Sequence, residues 1–362
     1  MLQNVSGGRT LDVIKVSGTS RERGYKYGAA SKKVIRKAVN AHLEFYRQYF
    51  DLHKAHVLQM ARKYMPYIEK YSPDVADEIV GISEGSESST DEILLLVAYY
   101  EIYYRYTVGI GCTAIAVAGS MTINGETFVA QNNDEGLEPW GEGFGKLVHI
   151  KPDSGPEIVT YTYPGFPGQM GLNSNGIALC ANTLVTNERR MGVPFQVITR
   201  EVLGQRTIGD AISAAIRGNR ASSGNLVIAD HNGEIYDLEL TPSSFDHFYS
   251  NKLMVHSNHF LSTRLRMKRD LIIGKWTDTI VRYNRMNRIL QESAGMIDEN
   301  RLMKIFGDHV NYPESICRHV DTRQPPEDRM KTVDCMIYSP TRKAMWLANG
   351  NPCQTAFQTF SL

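Results

Sequence analysis

The pattern of hydrophobic and polar positions changes character near residue 111. Before it, apolar residues recur at helical spacing in three segments. Thr19 and Glu22 form a capping box ahead of a long segment that runs through Tyr49. The other two segments are SPDVADEIVGISEGS and STDEILLLVAYYEIYYRY. The pattern therefore predicts a mainly helical segment over residues 1–111.

After residue 111 the chain alternates apolar and polar positions, which is typical of β-strands, from Cys112 to about Leu240. The dipeptides Asn124-Gly125, Asn175-Gly176 and Asn232-Gly233 lie between these runs and favour tight turns. Helical patterns return in PFQVITREVL, TIGDAISAAIRG, TIVRYNRMNRILQES and NRLMKIFGDH, ahead of a last hairpin in VDCMIYSPTRKAMWLANG. Hairpins that alternate with helices predict an α+β layered fold. No linker divides the chain, so we expect a single structural domain.

Composition limits the possible partners. The 362 residues carry a formal net charge of +1, which gives no overall attraction to nucleic acid or to anionic lipid. The longest apolar run, Ile93 to Tyr100, is far shorter than the roughly 20 residues that cross a bilayer. We expect a small-molecule substrate, no nucleic acid, no membrane and a possible homo-oligomer.

Cysteine and histidine usage limits the chemistry. The 5 cysteines form no CxxC pair and are too few for a disulfide framework, which indicates a reducing, cytoplasmic setting. In HSNH, His256 and His259 are possible metal ligands, but an isolated pair at this spacing is more often structural. We therefore expect neither a metal nor an organic cofactor.

The stretch GIGCTAIAV places Cys112 where the helical pattern ends and a strand pattern begins. A free thiol has a pKa near 8.5 and needs a base, whereas a newly exposed α-amine, with a pKa of about 7.7 to 8, is able to accept the thiol proton itself. Cleavage between Gly111 and Cys112 would supply that amine, and glycine tolerates the strained backbone that such an attack requires. Two alternatives stay open: a Cys-His enzyme in an intact chain, using Cys112 or Cys317, the latter beside His319, and a non-catalytic binding protein.

Several motifs together resemble the acyl-CoA:6-aminopenicillanate acyltransferase family of N-terminal-nucleophile (Ntn) hydrolases. They are GTSRERGYKYG, DEIVGISEGS, GCTAI, AQNND, GLNSNGIALCANTL, MVHSNH, NYPESICRH and DRMKTVDCMIY, in that order along the chain. The resemblance implies a four-layer αββα sandwich with two antiparallel sheets. It also implies a precursor that cleaves itself before the nucleophile, so that residues 1–111 become a small subunit that stays packed on a core of residues 112–362.

The resemblance also assigns roles. It implies that Cys112 is the nucleophile and new N-terminus, and that Gly111 ends the small subunit. Asp134 resembles the aspartate that orients the new amine, and Arg329 matches an arginine that pairs with that aspartate. Asn258 resembles the asparagine that stabilises the oxyanion.

Other positions bear on the pocket and the substrate. Asn182 resembles an asparagine beside the nucleophile of bile-salt and penicillin V hydrolases, and Thr241 stands where the family has a serine. Ala114 and Glu135 replace a threonine and an aromatic residue of the fungal acyltransferase, so the pocket wall differs. The implied activity is cleavage or transfer of the acyl group of small N-acyl amides or acyl-CoA thioesters through an acyl-Cys112 intermediate.

Hairpin geometry tests whether Asp134 reaches the nucleophile. A two-residue turn at Asn124-Gly125 places Asp134 opposite Ile115, about three residues from Cys112. A three-residue loop with a bulge brings Asp134 level with Cys112. We therefore expect the bulge.

Overall fold

The structure is a computed structural model that describes residues 11–103, 111–136, 144–266, 270–272 and 275–362. Eleven helices lie in these ranges: α1 Ser20–Phe50, α2 Lys54–Arg62, α3 Met65–Tyr71, α4 Pro73–Ser86, α5 Thr90–Val97, α6 Tyr99–Tyr103, α7 Phe195–Leu203, α8 Ile208–Arg217, α9 Thr263–Arg266, α10 Asp278–Glu292 and α11 Glu299–Phe306. Fourteen strands lie in the same ranges: β1 Val13–Gly18, β2 Gly111–Val117, β3 Phe128–Gly136, β4 Lys146–Pro152, β5 Ile158–Thr162, β6 Met170–Asn173, β7 Ile177–Thr183, β8 Gly224–Asp230, β9 Ile235–Leu240, β10 Phe245–Ser250, β11 Leu253–His256, β12 Met330–Ser339, β13 Ala344–Ala348 and β14 Gln358–Ser361.

The local features that the sequence predicts are confirmed where hydrogen bonds between nearby residues determine them. Thr19 caps α1 through the reciprocal bonds with Glu22 that the capping box predicts. The dipeptide Asn175-Gly176 joins β6 to β7, and Gly176 takes a φ of 76°, which a turn of this kind requires. The single helix predicted after Ser89 is instead two helices separated at Ala98, and its last predicted residues, 104–106, lie outside the described ranges.

The strands form two sheets. One has eight strands in the order β1-β4-β5-β6-β7-β8-β9-β10, and the other has six in the order β11-β2-β3-β12-β13-β14. The faces of β2 and β3 contact β7 and β8, while α7 and α8 pack on the larger sheet and α10 and α11 on the smaller one. This confirms the predicted α+β fold with αββα layers. The smaller sheet is antiparallel throughout, as expected, and the larger sheet is antiparallel except at its edge, where β1 pairs with β4 in parallel.

Two helices of the N-terminal segment cross at very short range. A Cβ atom added to Gly24 or Gly28 of α1 would lie 2.1 or 2.4 Å from a carbonyl oxygen of α4, and one added to Gly81 or Gly85 of α4 would lie 2.2 or 2.0 Å from a carbonyl oxygen of α1. Only glycine permits this approach. The crossing fixes α4, the helix that packs against later parts of the chain.

The segment before Cys112 is joined to the remainder by buried contacts. Glu78 of α4 forms a buried ion pair with Arg200 of α7, with 3.0 Å between Glu78 Oε2 and Arg200 Nη2. Tyr71 donates a hydrogen bond to the carbonyl of Ala214, and β1 hydrogen-bonds to β4 along its length. These contacts do not depend on the peptide bond before Cys112.

Candidate active site

Cys112 is the second residue of β2, and its side chain lies between the two sheets. It is 4% exposed and stands opposite Asn133 in the β2–β3 register, with 4.0 Å between Sγ and Asn133 Oδ1. The residues that line the cleft around it come from β3, β7, α6, α7 and the loops beside them: Tyr100, Asn133, Gln169, Ala181, Asn182, Thr183, Phe195, Gln196, Ser222 and Ser223. This cleft shares Ser222 and Ser223 with a neighbouring cleft that Glu101, Arg189 and Arg190 help to line. The thiol therefore lies in a small pocket at a sheet–sheet interface.

The thiol is protonated in the intact chain. Burial raises the pKa of Cys112 to about 12, and the carboxylates of Asp134 and Glu135 act in the same direction. In the described part of the chain, no histidine hydrogen-bonds to Cys112 Sγ. A Cys-His enzyme that used Cys112 as its nucleophile would therefore have no histidine base among the described residues.

Asp134 approaches the predicted cleavage site from the opposite face of the sheet. It pairs with Gly111, and a Cβ atom added to Gly111 would lie 2.9 Å from Asp134 Oδ2. Strand side chains alternate between the two faces, so Asn133 lies on the Cys112 side and Asp134 on the helix side. The carboxylate is thus next to the Gly111–Cys112 peptide but not next to the thiol.

The expected three-residue loop with a bulge is wrong. Residues 118–127 form a ten-residue connection that contains a short 3-10 helix at Gly119–Met121, and the β2–β3 register is regular throughout. Asn124-Gly125 forms a turn inside this connection, where Gly125 adopts a φ of 70°. It does not join the two strands directly, because β2 ends at Val117 and β3 begins at Phe128. The longer connection still brings Asp134 to within one residue of Cys112.

The pairing of Arg329 with Asp134 is also wrong. Arg329 donates to the carbonyls of Gln324 and Thr322, at 3.0 and 3.2 Å. The arginine that reaches Asp134 is Arg318, with 3.3 Å from Nε to Oδ2. The sequence offered little to separate the two, because both lie in loop motifs of the resemblance. Burial separates them, since Arg318 is 3% exposed.

Arg318 belongs to a buried chain of alternating charges. Its Nη2 contacts Asp278 Oδ2, and the same carboxylate oxygen lies 2.9 Å from Arg282 Nε. Burial alone would raise the pKa of Asp278, but Arg282 and Arg318 hold it below its ordinary value. Asp278 and Arg282 were missed by sequence reasoning, and their i,i+4 spacing on α10 was the only available signal.

Arg282 connects this network to Cys112. Its Nη1 donates to the Cys112 carbonyl and to Thr113 Oγ1, and its Nη2 donates to Asn258 Oδ1 at 2.9 Å. The backbone on the C-terminal side of the predicted scissile bond is therefore held by a fully buried cation.

Asn258 contacts Cys112 directly. The Cys112 backbone N–H donates to Asn258 Oδ1 at 2.8 Å, and Asn258 Nδ2 donates to the carbonyl of Thr183 at 3.2 Å. Thr279 Oγ1 accepts from the Asn258 backbone N–H and fixes its position. Asn182 lines the same cleft, and its Nδ2 lies 3.5 Å from the carbonyl of His256. The structure thus brings both predicted asparagines to Cys112.

Of the three predicted substrate-binding residues, two lie near Cys112 in the β2–β3 pair and one lies outside the cleft. Ala114 is buried in β2, two residues from Cys112 on the same face. Glu135 lies beside Tyr100, at 3.2 Å between Oε1 and the hydroxyl, and burial raises its pKa to about 8. Thr241 lies in the β9–β10 turn, where its hydroxyl bonds to Ser244, and it is not among the residues that line the cleft.

The histidines of HSNH have structural partners. His256 Nε2 lies 2.9 Å from Glu239, and although burial opposes its charge, Asp237 and Glu239 raise its pKa to about 9. Burial lowers the pKa of His259 to about 4. A group of metal-ligand type exists elsewhere, where His309, Cys317, His319 and Cys353 converge.

Comparison with known proteins gives these positions a context. The family described as acyl-coenzyme A:6-aminopenicillanic acid acyl-transferase matches residues 121–354. The acyl-coenzyme A:6-aminopenicillanic-acid-acyltransferase 40 kDa form of Emericella nidulans is 27% identical over 356 residues, which cover 96% of each chain.

Similar solved structures are more distant. Penicillin V acylase from Agrobacterium tumefaciens has 13% identity and a TM-score of 0.44 over 66% of this chain and 83% of that one. A conjugated bile acid hydrolase mutant from Clostridium perfringens has 11% identity and a TM-score of 0.46 over 69% and 97%. Similarity at this level supports no conclusion about activity. No helix among the described residues has the length and apolar character to cross a bilayer.

Proposed function

Because the chain belongs to the acyl-coenzyme A:6-aminopenicillanic acid acyltransferase family, we propose that it cleaves itself before Cys112 and then acts as an amidohydrolase or acyltransferase with an N-terminal cysteine nucleophile. One observation carries this proposal. The nitrogen that would become the new amine donates to Asn258 Oδ1 at 2.8 Å, while Asp134 lies against Gly111 on its other side.

The first step is an N-to-S acyl shift. The Cys112 Sγ attacks the carbonyl carbon of Gly111, the C–N bond breaks, and the thiol proton passes to the departing nitrogen. Water then hydrolyses the thioester, which leaves a carboxylate on Gly111 and restores the thiol. Arg282 on the Cys112 carbonyl and Asn258 on its nitrogen keep the C-terminal side of the bond fixed during this exchange.

After cleavage, Cys112 itself supplies the base for its thiol. The free α-amine of Cys112 accepts the thiol proton, so the thiolate no longer depends on a distant histidine. Asn258 Oδ1 and the Asp134 carboxylate flank this amine and orient it.

In turnover the thiolate attacks the carbonyl carbon of an amide or thioester substrate. The amine-borne proton goes to the leaving amine or thiol as its bond breaks, and an acyl-Cys112 thioester results. Water or an acceptor amine then takes the acyl group. Asn258 Nδ2 and Asn182 Nδ2 are the donors proposed for the oxyanion, since both asparagines adjoin Cys112.

The substrate class is a small acyl compound. The Emericella relative is named for acyl-coenzyme A and 6-aminopenicillanic acid, and transfer between an acyl-CoA thioester and an amine is the corresponding proposal for this chain. Glu135 lies close enough to raise the pKa of the thiol, and its own raised pKa keeps it largely neutral at pH 7. This favours an uncharged acyl group near Cys112 over a carboxylate or an ammonium.

Intact-protein mass spectrometry with N-terminal sequencing tests the first step. Purified wild-type protein is expected to give two fragments of about 12 and 28 kDa, scaled from 40.7 kDa, the larger beginning at Cys112. The mature protein is then assayed against acyl-CoA esters and N-acyl amides with and without added amines. Turnover by an uncleaved chain would contradict the proposal.

A further inference from the structure

Two cysteines and two histidines converge away from the Cys112 cleft. His309, Cys317 and His319 lie between α11 and β12, and Cys353 lies between β13 and β14. One ligand atom of each residue lies within 4.8 Å of the other three. Cys112 lies in a different pocket, none of whose lining residues belongs to this group. We propose that His309, Cys317, His319 and Cys353 bind a structural Zn²⁺ ion.

The distances match tetrahedral coordination. With Zn–S near 2.3 Å and Zn–N near 2.0 to 2.1 Å, a tetrahedral site separates two sulfurs by about 3.8 Å, a sulfur and a nitrogen by about 3.6 Å, and two nitrogens by about 3.3 Å. The corresponding separations are 3.5 Å between Cys317 Sγ and Cys353 Sγ, and 3.1 Å between His309 Nε2 and His319 Nε2. His319 Nε2 lies 3.7 and 3.5 Å from the two sulfurs. Four of the six separations are therefore close to those of a tetrahedral site, and the two from His309 to the sulfurs lie within 4.8 Å, so that a small movement of the exposed His309 side chain completes the coordination.

The donor set selects the metal. Two thiolates and two imidazoles suit zinc, whereas Ca²⁺ and Mg²⁺ prefer oxygen ligands. Binding displaces one proton from each thiol, so that Zn²⁺ with two thiolates and two neutral imidazoles has no net charge. Four protein ligands leave no position for a water, which makes the site structural and not hydrolytic.

The surroundings support the site independently of the four ligands. Asn351 Nδ2 lies 3.4 Å from Cys317 Sγ and is placed to donate to a thiolate. The Cys317 N–H donates to the carbonyl of Asp308, and the His319 N–H donates to the carbonyl of Pro313. These backbone bonds fold the loop so that its ligands face one point. His309 and Cys353 are exposed, which gives the ion a route of entry.

The same cluster explains the Cys317–His319 contact that a Cys-His enzyme would use. A catalytic pair needs one thiol and one base, whereas here a second thiol and a second imidazole are equally close. Metal binding accounts for all four residues.

The ion would also position the catalytic side of the molecule. Arg318 lies between two of the ligands, its carbonyl accepts from Asn351 Nδ2 at 2.8 Å, and its guanidinium contacts Asp134. Zinc therefore joins the loop of Arg318 to the segment that carries Cys353. The effect of this connection on self-cleavage rests on the proposed function, but the metal site does not.

The test uses the Cys112→Ala protein, so that processing cannot affect the result. Protein expressed with zinc in the medium is analysed for metal by mass spectrometry. We expect about one zinc per chain, and no zinc above background after Cys317→Ser with Cys353→Ser or after His309→Ala. Matched controls are Cys180→Ala, which removes a buried cysteine elsewhere, and His53→Ala, which removes an exposed histidine; both are expected to retain the metal.

A second measurement covers variants that fail to fold. A strong chelator is expected to lower the melting temperature of the Cys112→Ala protein, Zn²⁺ is expected to restore it, and Mg²⁺ is not. Co²⁺ added to the stripped protein is expected to give the intense visible bands of tetrahedral thiolate coordination. A chain that takes up neither Zn²⁺ nor Co²⁺, zinc content unchanged in the ligand variants, or a metal-free Cys317–Cys353 disulfide would overturn the proposal.

Discussion

The two faces of the β2–β3 pair hold opposite kinds of polar groups. The face toward the larger sheet carries Cys112, Asn133 and Glu135, where burial keeps the thiol and the carboxyl group neutral. The face toward α10 and α11 carries Asp134, which joins Arg318, Asp278 and Arg282 in a charged network. Adjacent residues of one strand thus experience different electrostatics.

The difference separates the roles of the two acidic neighbours. Asp134 does not serve as the base of the thiol, because its carboxylate is on the other face. It does reach the backbone at Gly111, where the new amine would form. The contrast predicts that changes on the thiol face act on chemistry, and that changes on the charged face act first on stability and then on cleavage.

Removal of the thiol has the largest expected effect. Cys112→Ala leaves no nucleophile, so a single chain of 40.7 kDa without turnover is expected. Gel electrophoresis and an activity assay check this. Cys180→Ala, at another fully buried cysteine, is the matched control and should still mature. Two fragments from the Cys112→Ala protein would refute a cysteine-dependent cleavage.

Removal of a buried charge has the next largest effect. Arg318→Met leaves Asp134 and Asp278 to share Arg282, and breaking a buried pair costs about 3 to 5 kcal/mol. Urea unfolding of the variant in the Cys112→Ala background measures this loss. Arg323→Met, which disrupts an exposed pair with Asp321, should leave the midpoint unchanged. Equal midpoints for both variants would show that the network does not stabilise the fold.

Substitution of Asn258 separates its two functions. Asn258→Ala removes both the acceptor for the Cys112 nitrogen and the proposed oxyanion donor, and loss of one such donor lowers kcat by about 10² to 10³. Asn258→Asp retains an acceptor oxygen but has no donor. We expect cleavage to be slowed less in Asn258→Asp than in Asn258→Ala, with turnover impaired in both. Normal turnover in Asn258→Asp would exclude the donor role.

Substitution of Glu135 is expected to have a smaller, pH-dependent effect on the free energy of unfolding. Its folded pKa of about 8 exceeds the ordinary 4.5, so the folded state binds more protons than the unfolded state between these values. Stability contributed by this residue is therefore lost as pH rises through that window. Glu135→Gln should unfold at a higher urea concentration relative to wild type at pH 8 than at pH 5. The same difference at both pH values would contradict the neutral carboxyl group.

Substitution of Arg329 is expected to have the smallest effect on stability and on cleavage. Its guanidinium bonds only to the carbonyls of Gln324 and Thr322 among its described hydrogen-bond partners. Arg329→Ala is therefore expected to change stability by about 1 kcal/mol or less and to leave cleavage unchanged. Loss of cleavage in the Arg329→Ala protein would contradict this placement of Arg329 away from the site.

Sequence patterns predicted the features that neighbours along the chain determine. The capping box at Thr19 and the turn at Gly176 depend on hydrogen bonds within a few residues, and both occur as predicted. The parallel strand β1 was missed because its partner β4 lies more than 130 residues away. The family resemblance supplied Cys112, Asp134 and Asn258, which lie together.

The errors in the site have a common cause. Asn124-Gly125 is a strong hairpin signal, but the turn sits inside a longer connection that only packing against the rest of the fold reveals. Arg318 and Arg329 are equally plausible as loop arginines, and burial decides between them. Cys317 and His319 stand two residues apart, whereas Cys353 joins them through folding alone.

N-terminal sequencing of the active wild-type protein tests the central claim most directly. The account predicts that the larger fragment begins at Cys112, that its abundance follows activity as cleavage proceeds, and that the smaller fragment ends at Gly111. An active preparation that consists entirely of the uncleaved 40.7 kDa chain would contradict it.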